Sequence, residues 1–234
     1  MLILAADTSG RQSSVALLRN EEVLAASGGF SDEPYASRFF RDVSLILDQA
    51  RVELARIEVF AVGTGPGSFT GLRVGLTAVK GWAEAFGRQI VPVSGLQAVA
   101  VQARTTDRPV CSVMDARAGK LYGAVFGQDN SGAARLQLKG EEVVLGTEEF
   151  FPWISEGANA KIPVFVTPTR QAVEAALAAS PMAGAMIEEV SGELAPFIGR
   201  IGYARAREGL TVDPANLEAN YIRRSDAEMN WRGG

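Results

Sequence analysis

Short apolar runs alternate with helical stripes along the chain. Leu2 to Ala6 is apolar and closes on Asp7-Thr8-Ser9-Gly10, which predicts a buried strand and a polar turn. Ser14 to Leu18 and Glu22 to Ser27 flank the short polar break Arg19-Asn20-Glu21, which predicts a hairpin. Pro34 marks a helix start, and Tyr35, Phe39, Val43, Ile46 and Leu47 follow at helical spacing. Phe40 lies off that stripe, so this helix is apolar on more than one face. Ile57 to Val62 predicts another strand, Ser68 to Phe86 a second long helix, and Ile90 to Val93 a further strand.

The same order then returns. Val110 to Met114 is an apolar run ending at Asp115, with Leu121 to Phe126 and Arg135 to Val144 as its hairpin neighbours. Thr147 to Ile154 predicts a helix with Thr147 as N-cap. Ile162 to Val166 predicts a strand, and Thr169 to Ala179 and Glu193 to Glu208 predict helices. The order repeats without any repeat of sequence. The Pro109 region is the best boundary, giving expected domains 1–105 and 106–234.

Composition narrows the chemistry. Hydrophobic residues make up 47% of the 234, enough for a sizeable core. The net charge of −4 argues against tight nucleic-acid binding by this chain alone. A single cysteine, Cys111, excludes an internal disulfide framework. The N-terminal apolar run is too short for a signal sequence, and no run is long enough to span a bilayer, so the expected location is cytoplasmic with no membrane contact. The chain has no histidine at all. That removes the commonest general base and metal ligand and every Ser-His or Cys-His nucleophile pair.

The most distinctive segment is Gly63-Thr64-Gly65-Pro66-Gly67-Ser68-Phe69-Thr70-Gly71-Leu72-Arg73-Val74-Gly75. Such a turn into a helix can offer amides to an anion. It matches neither the Walker pattern nor G-x-G-x-x-G, and no G-x-S-x-G elbow surrounds Ser68. Gly67, Gly71 and Gly75 share one helical face, which favours close packing over a phosphate cradle. Two readings stay open: a packing or partner surface, or a phosphate site built from Asp7, Thr8, Gly65, Gly67, Ser68 and Asp115. Each aspartate ends an apolar strand, where a carboxylate can hold a metal–phosphate through water or simply cap a turn. Arg223, Arg224 and Arg232 make a mildly basic tail.

The glycine-rich string, the opening LAADTS at Leu4 to Ser9, MDARAGKLYGAVF at Met114 to Phe126, and the late Asn220-Tyr221-Ile222-Arg223-Arg224 together resemble the bacterial TsaB (YeaZ) family. The likeness is strong to about residue 126 and weaker beyond. It implies an α/β fold of the duplicated actin-like, ribonuclease H-like (ASKHA) type, two halves with mixed sheets. It also implies a part in making threonylcarbamoyladenosine beside the anticodon of tRNAs reading ANN codons. In that pathway the paralogue TsaD carries the metal and the transferase site, and the ATPase TsaE joins the pair. TsaB serves as a non-catalytic scaffold or activator without a cofactor, homodimeric when alone, and meets tRNA only through the complex. The paralogue's H-x-x-x-H metal motif has no counterpart here. Many family members keep a histidine shortly before the first long helix; this chain has Asp32-Glu33-Pro34-Tyr35-Ala36-Ser37-Arg38 there instead. The resemblance makes the two long helices the dimerisation face, with Phe39, Gly71, Arg73, Gly75, Ala78 and Trp82 at or near it. The alternative from another class is an ATP-dependent kinase or hydrolase of the same fold, using Asp7 and Asp115. A peptidase is the weakest reading.

Overall fold

A computed structural model describes residues 1–30, 35–105, 107–128, 136–158 and 161–222. The expected helix start at Pro34, the Asp32–Glu33 neighbourhood, Arg135 and the basic tail of Arg223, Arg224 and Arg232 lie outside the described residues. The chain divides into two compact units, residues 1–95 with 193–234, and residues 96–192.

The first unit holds a five-stranded mixed sheet. Strands β1 (Leu2–Asp7), β2 (Gln12–Arg19) and β3 (Glu22–Phe30) form an antiparallel meander. After helix α1 (Tyr35–Ala50), strand β4 (Val59–Gly63) joins β1 in parallel. Helix α2 (Phe69–Phe86) then leads to β5 (Gln89–Val93), parallel to β4. The spatial order is β3-β2-β1-β4-β5.

β1 reads as an unbroken apolar run because both of its faces are covered. Leu4 and Ala6 pack with Phe39, Val43 and Ile46 of α1 and Leu72, Leu76 and Val79 of α2 in one core. Ile3 and Ala5 are also fully buried, on the alternate positions of the strand. A third helix, α6 (Ala195–Arg207), contacts β1, β2, β4 and β5. It comes close because Gly199 lies against the Leu18 side chain and Gly202 against Ala61; a Cβ on Gly202 would sit 2.6 Å from that of Ala61. Ser14 Oγ, buried in β2, accepts the Ala195 amide at 3.0 Å and satisfies a donor in the first turn of α6.

The second unit repeats the arrangement. A short helix α3 (Gly95–Ala100) leads in. Strands β6 (Val110–Asp115) and β7 (Lys120–Gln128) pair antiparallel. Where one strand over Arg135 to Val144 is expected, two short ones occur, β8 (Leu136–Leu138) and β9 (Val143–Gly146), both paired with β7. The break falls at Gly140, whose φ of 82° ends the extended run. Helix α4 (Thr147–Gly157) has Gly146 at its N-cap with no side-chain bond, so Thr147 is the first helical residue and not the cap. Strand β10 (Val164–Thr167), helix α5 (Arg170–Ala178) and strand β11 (Ile187–Glu189) complete the unit, and β10 is parallel to both β6 and β11. Read outward from β6, the order β8-β7-β6-β10-β11 is that of β3-β2-β1-β4-β5. The duplication seen as repeated element order is therefore a duplication of sheet topology. The helix expected over Glu193 to Glu208 is α6, whereas helix α3 and the short β11 complete a pattern that periodicity shows only in part.

The expected division at 105/106 differs from the observed one in two ways. The C-terminal stretch returns to the first unit through α6, through the bridge of Val212 to Ile90, and through the Asn220 amide, which donates to Thr64 O at 2.8 Å. The segment before Pro109 belongs to the second unit because Glu188, on β11, accepts the Arg104 and Thr105 amides at 2.7 and 3.0 Å. A boundary placed on a proline between runs of local pattern could not register either long-range tie.

Candidate functional site

The glycine-rich turn is built from β1 outward. Past Asp7 the backbone turns sharply, and the Ser9 amide donates to Asp7 Oδ1 at 3.0 Å. The Thr8 hydroxyl donates to Gly71 O, inside α2, at 2.7 Å. Ser9 O accepts the Ser68 amide at 2.6 Å. Ser68 caps α2, its Oγ accepting the Gly71 amide at 3.2 Å. At the other end Gly87, with φ of 61°, closes the helix in the left-handed conformation.

The glycine stripe faces this Thr8-Ser9 segment. A Cβ on Gly67 would fall on Ser9 O, one on Gly71 on Thr8 O, and one on Gly75 on the Thr8 hydroxyl. Gly65, at φ of 111°, would meet Asn220 O at 3.1 Å. The stripe is thus an intramolecular packing face. Gly71 and Gly75, expected at or near the partner face, are themselves buried against the chain's own strand exit. Two of the amides that a phosphate cradle would use, those of Ser68 and Gly71, are already engaged by Ser9 and Ser68.

The remaining expected interface residues separate. Phe39 is 3% exposed and belongs to the core, stacked on Trp82 at 5.8 Å. Its neighbour Phe40 is 48% exposed and meets both Phe39 and Trp82 edge-on at 5.5 and 5.9 Å. Phe40, not Phe39, is the outward aromatic, and its position off the helical stripe was the available signal. Ala78 and Trp82 are half-buried. Arg73 is exposed and lies over the Phe69 ring, 3.9 Å from its centroid.

Asp7 and Asp115 keep the same local habit in different surroundings. Each accepts the amide two residues on, Asp7 from Ser9 and Asp115 from Arg117 at 2.7 Å. Asp115 is exposed at a hairpin of the second unit, where Arg117, Ala118 and Gly119 all have positive φ. Asp7 is 2% exposed, with its carboxylate against Gly63. Burial pushes the Asp7 carboxyl up, and hydrogen bonding from Ser9 only partly offsets this. A raised folded value means that the folded state holds the proton more tightly. Stability therefore falls as pH rises from the ordinary aspartate range through the folded value. Asp7→Asn keeps an acceptor for Ser9 and removes the buried charge. It is expected to raise the melting temperature at neutral pH, with the gain vanishing in acid; scanning calorimetry across pH checks this, and a lower melting temperature at pH 7 would show that the charge itself is structurally required.

Among the described residues, no three or more His, Cys, Asp or Glu gather in a way that could hold a metal ion. No helix among them is long and apolar enough to cross a membrane. Cys111 is buried, and burial pushes its thiol far above the ordinary range.

Comparison with known proteins decides the family. A family model described as TsaD, tRNA N6-adenosine threonylcarbamoyltransferase, matches residues 20–190. The chain belongs to this family. Within it, the chain is of the TsaB (YeaZ) kind. It is 27% identical to the tRNA threonylcarbamoyladenosine biosynthesis protein TsaB of Bacillus subtilis over 99% of this chain and 98% of that protein. A crystal structure from Pseudomonas aeruginosa, of an uncharacterized protein with similarity to peptidase YEAZ, superposes with a TM-score of 0.78 at 27% identity, covering 95% of this chain and 99% of that one. The ROK hexokinase of Thermus thermophilus shares the fold alone, with a TM-score of 0.50 at 11% identity over 89% of this chain and 100% of that one.

Proposed function

We propose that this chain is a non-catalytic scaffold or activator in the biosynthesis of tRNA threonylcarbamoyladenosine. In this reading it works in the cytoplasm, pairs with the catalytic paralogue TsaD, is joined by the ATPase TsaE, and meets tRNA only through the complex. Alone, it pairs with itself. The observation that carries the reading is the occupation of the glycine turn by the chain's own Thr8-Ser9 segment, which takes up the face and the amides that a phosphate would use. The absence of histidine from the sequence agrees with it.

The partner surface in this reading is the outward side of α1 and α2. Phe40 and Leu45 are 48% and 45% exposed on α1, and Phe86 is 36% exposed on α2. Large exposed apolar side chains beside a half-buried Trp82 suit a helix-on-helix contact. Phe40→Asp should weaken the heterodimer by about 2 kcal/mol or more, as removal of an anchoring aromatic does, with an unchanged melting temperature of the isolated chain. Titration calorimetry with purified TsaD reads this directly.

Depletion of the protein in cells tests the pathway. The modified nucleoside should fall steeply in tRNA hydrolysates, and normal levels would overturn the assignment. The kinase or hydrolase alternative predicts something else. The purified chain should turn over negligible ATP with magnesium, whereas robust turnover lost in Asp7→Ala would replace the scaffold reading with an enzymatic one.

A further inference from the structure

On the flank of α2 away from Trp82 lies a groove of about 340 Å³, lined by Arg73, Leu76, Thr77 and Lys80 of α2 and by Leu217, Glu218, Ala219 and Tyr221 of the C-terminal segment. The segment is fastened to the body. Leu217 is 2% exposed in the core, the Asn220 amide donates to Thr64 O, and the Tyr221 ring packs on Phe69 at 5.2 Å. Arg73 lies over the Phe69 ring as well, so two of the lining residues, Arg73 and Tyr221, meet the same aromatic side chain.

The charge in this groove is unbalanced. Arg73 and Lys80 have no ion-pair partner among the described residues. Glu218 is the one acid among the lining side chains, against two cations, in a chain whose net charge is −4. Seven residues of helix separate the cations by about 10 Å, two turns, with Thr77 between them and an aliphatic floor of Leu76, Leu217 and Ala219 below. A guanidinium placed over an aromatic ring can still offer its N–H donors to a carboxylate.

We propose that this groove docks an acidic segment of a partner protein, one that presents two carboxylates about two helical turns apart with an aliphatic side chain between them. Charge complementarity selects the acid, and the spacing and the aliphatic floor select a peptide. A compact anion would meet one cation and leave the floor uncovered. The groove and the aromatic side of α1 and α2 lie on different flanks of one helix, so the inference does not rest on the function proposed above.

The test uses the full chain and a fluorescein-labelled synthetic helical peptide with glutamates at positions i and i+7 and leucines at i+3 and i+4, read by fluorescence anisotropy. A twin peptide with glutamine at both acidic positions is the control. The acidic peptide should bind saturably, and its twin at least tenfold more weakly. The chain carrying Arg73→Gln and Lys80→Gln should lose at least tenfold for the acidic peptide, whereas Lys80→Arg should retain binding. Circular dichroism matched to the parent chain excludes unfolding. Equal binding of the two peptides, undiminished binding by the double variant, or no saturable binding overturns the proposal. Displacement of the peptide by inorganic phosphate or ATP, with either one binding more tightly than the peptide, also overturns it in favour of a small-anion site.

Discussion

Gly71→Ala should lower the free energy of unfolding by about 3 kcal/mol or more, the upper range for overpacking a close contact. The added Cβ would land on the Thr8 carbonyl oxygen, backbone against backbone, with no flexible side chain to swing aside. Relief requires moving α2 from β1, which breaks the Thr8 hydroxyl bond to Gly71 O and the Ser68 amide bond to Ser9 O. Gly81, on the same helix, has nothing within 4 Å of its Cβ position. Gly81→Ala should instead stabilise by about 0.5–1 kcal/mol through helix propensity alone. Urea unfolding of the two variants gives opposite signs if the stripe is a packing face. Equal, small effects would mean that Thr8 is not held where the structure has it. The contrast also governs how partner binding is tested. Loss of a partner in a Gly71 or Gly75 variant reports damage to the fold, so the interface has to be probed at Phe40.

The second large effect concerns Glu188, whose side chain is 6% exposed. Its carboxylate accepts the Arg104 and Thr105 amides and the Thr105 hydroxyl. Glu188→Ala leaves these donors without their acceptor and should cost about 2–4 kcal/mol. The Arg104 ion pair, at 3.8 Å with Arg104 78% exposed, adds little. Burial alone would raise this carboxyl, but the Thr105 hydroxyl, the two amides and the Arg104 charge together hold it below the usual glutamate range. The folded state therefore prefers the charged form. The contribution is full above the ordinary glutamate range and is lost as pH falls through the depressed folded value. Chemical denaturation at neutral and acid pH should show a Glu188→Gln variant well behind the parent at pH 7 and closer to it in acid. A gap that does not narrow in acid would contradict the charged state.

Much of this was legible locally. The stripe of Phe39, Val43, Ile46 and Leu47 predicts a buried face, and all four are buried. The doubly apolar β1 predicts a strand covered on both sides. Asp7 and Asp115 predict strand-end turns, and both cap them. The failures share one cause. Gly71 and Gly75 announce a close approach, but nothing in helical periodicity says whose backbone approaches. Phe39 and Phe40 are adjacent and chemically identical, and the helical stripe separates them, Phe39 on it and buried, Phe40 off it and exposed; what the stripe does not show is that both rings meet Trp82 of α2. Gly199 and Gly202 carry the signal for a third tight helix contact in their spacing, yet its target, β2 and β4, lies far away in sequence.

The sequence by itself determined most of the element order, the repeat of that order in the second half and the family to which the chain belongs, because periodicity, turn residues and a specific glycine string act over short distances. The tertiary structure alone decided that α6 returns to the first unit, that the glycine stripe is filled by Thr8 and Ser9, and that Arg73 and Lys80 line one groove with Glu218 as the one acid among its lining side chains. Each of these depends on contacts between residues distant along the chain, and such contacts are set by packing both faces of a sheet at once.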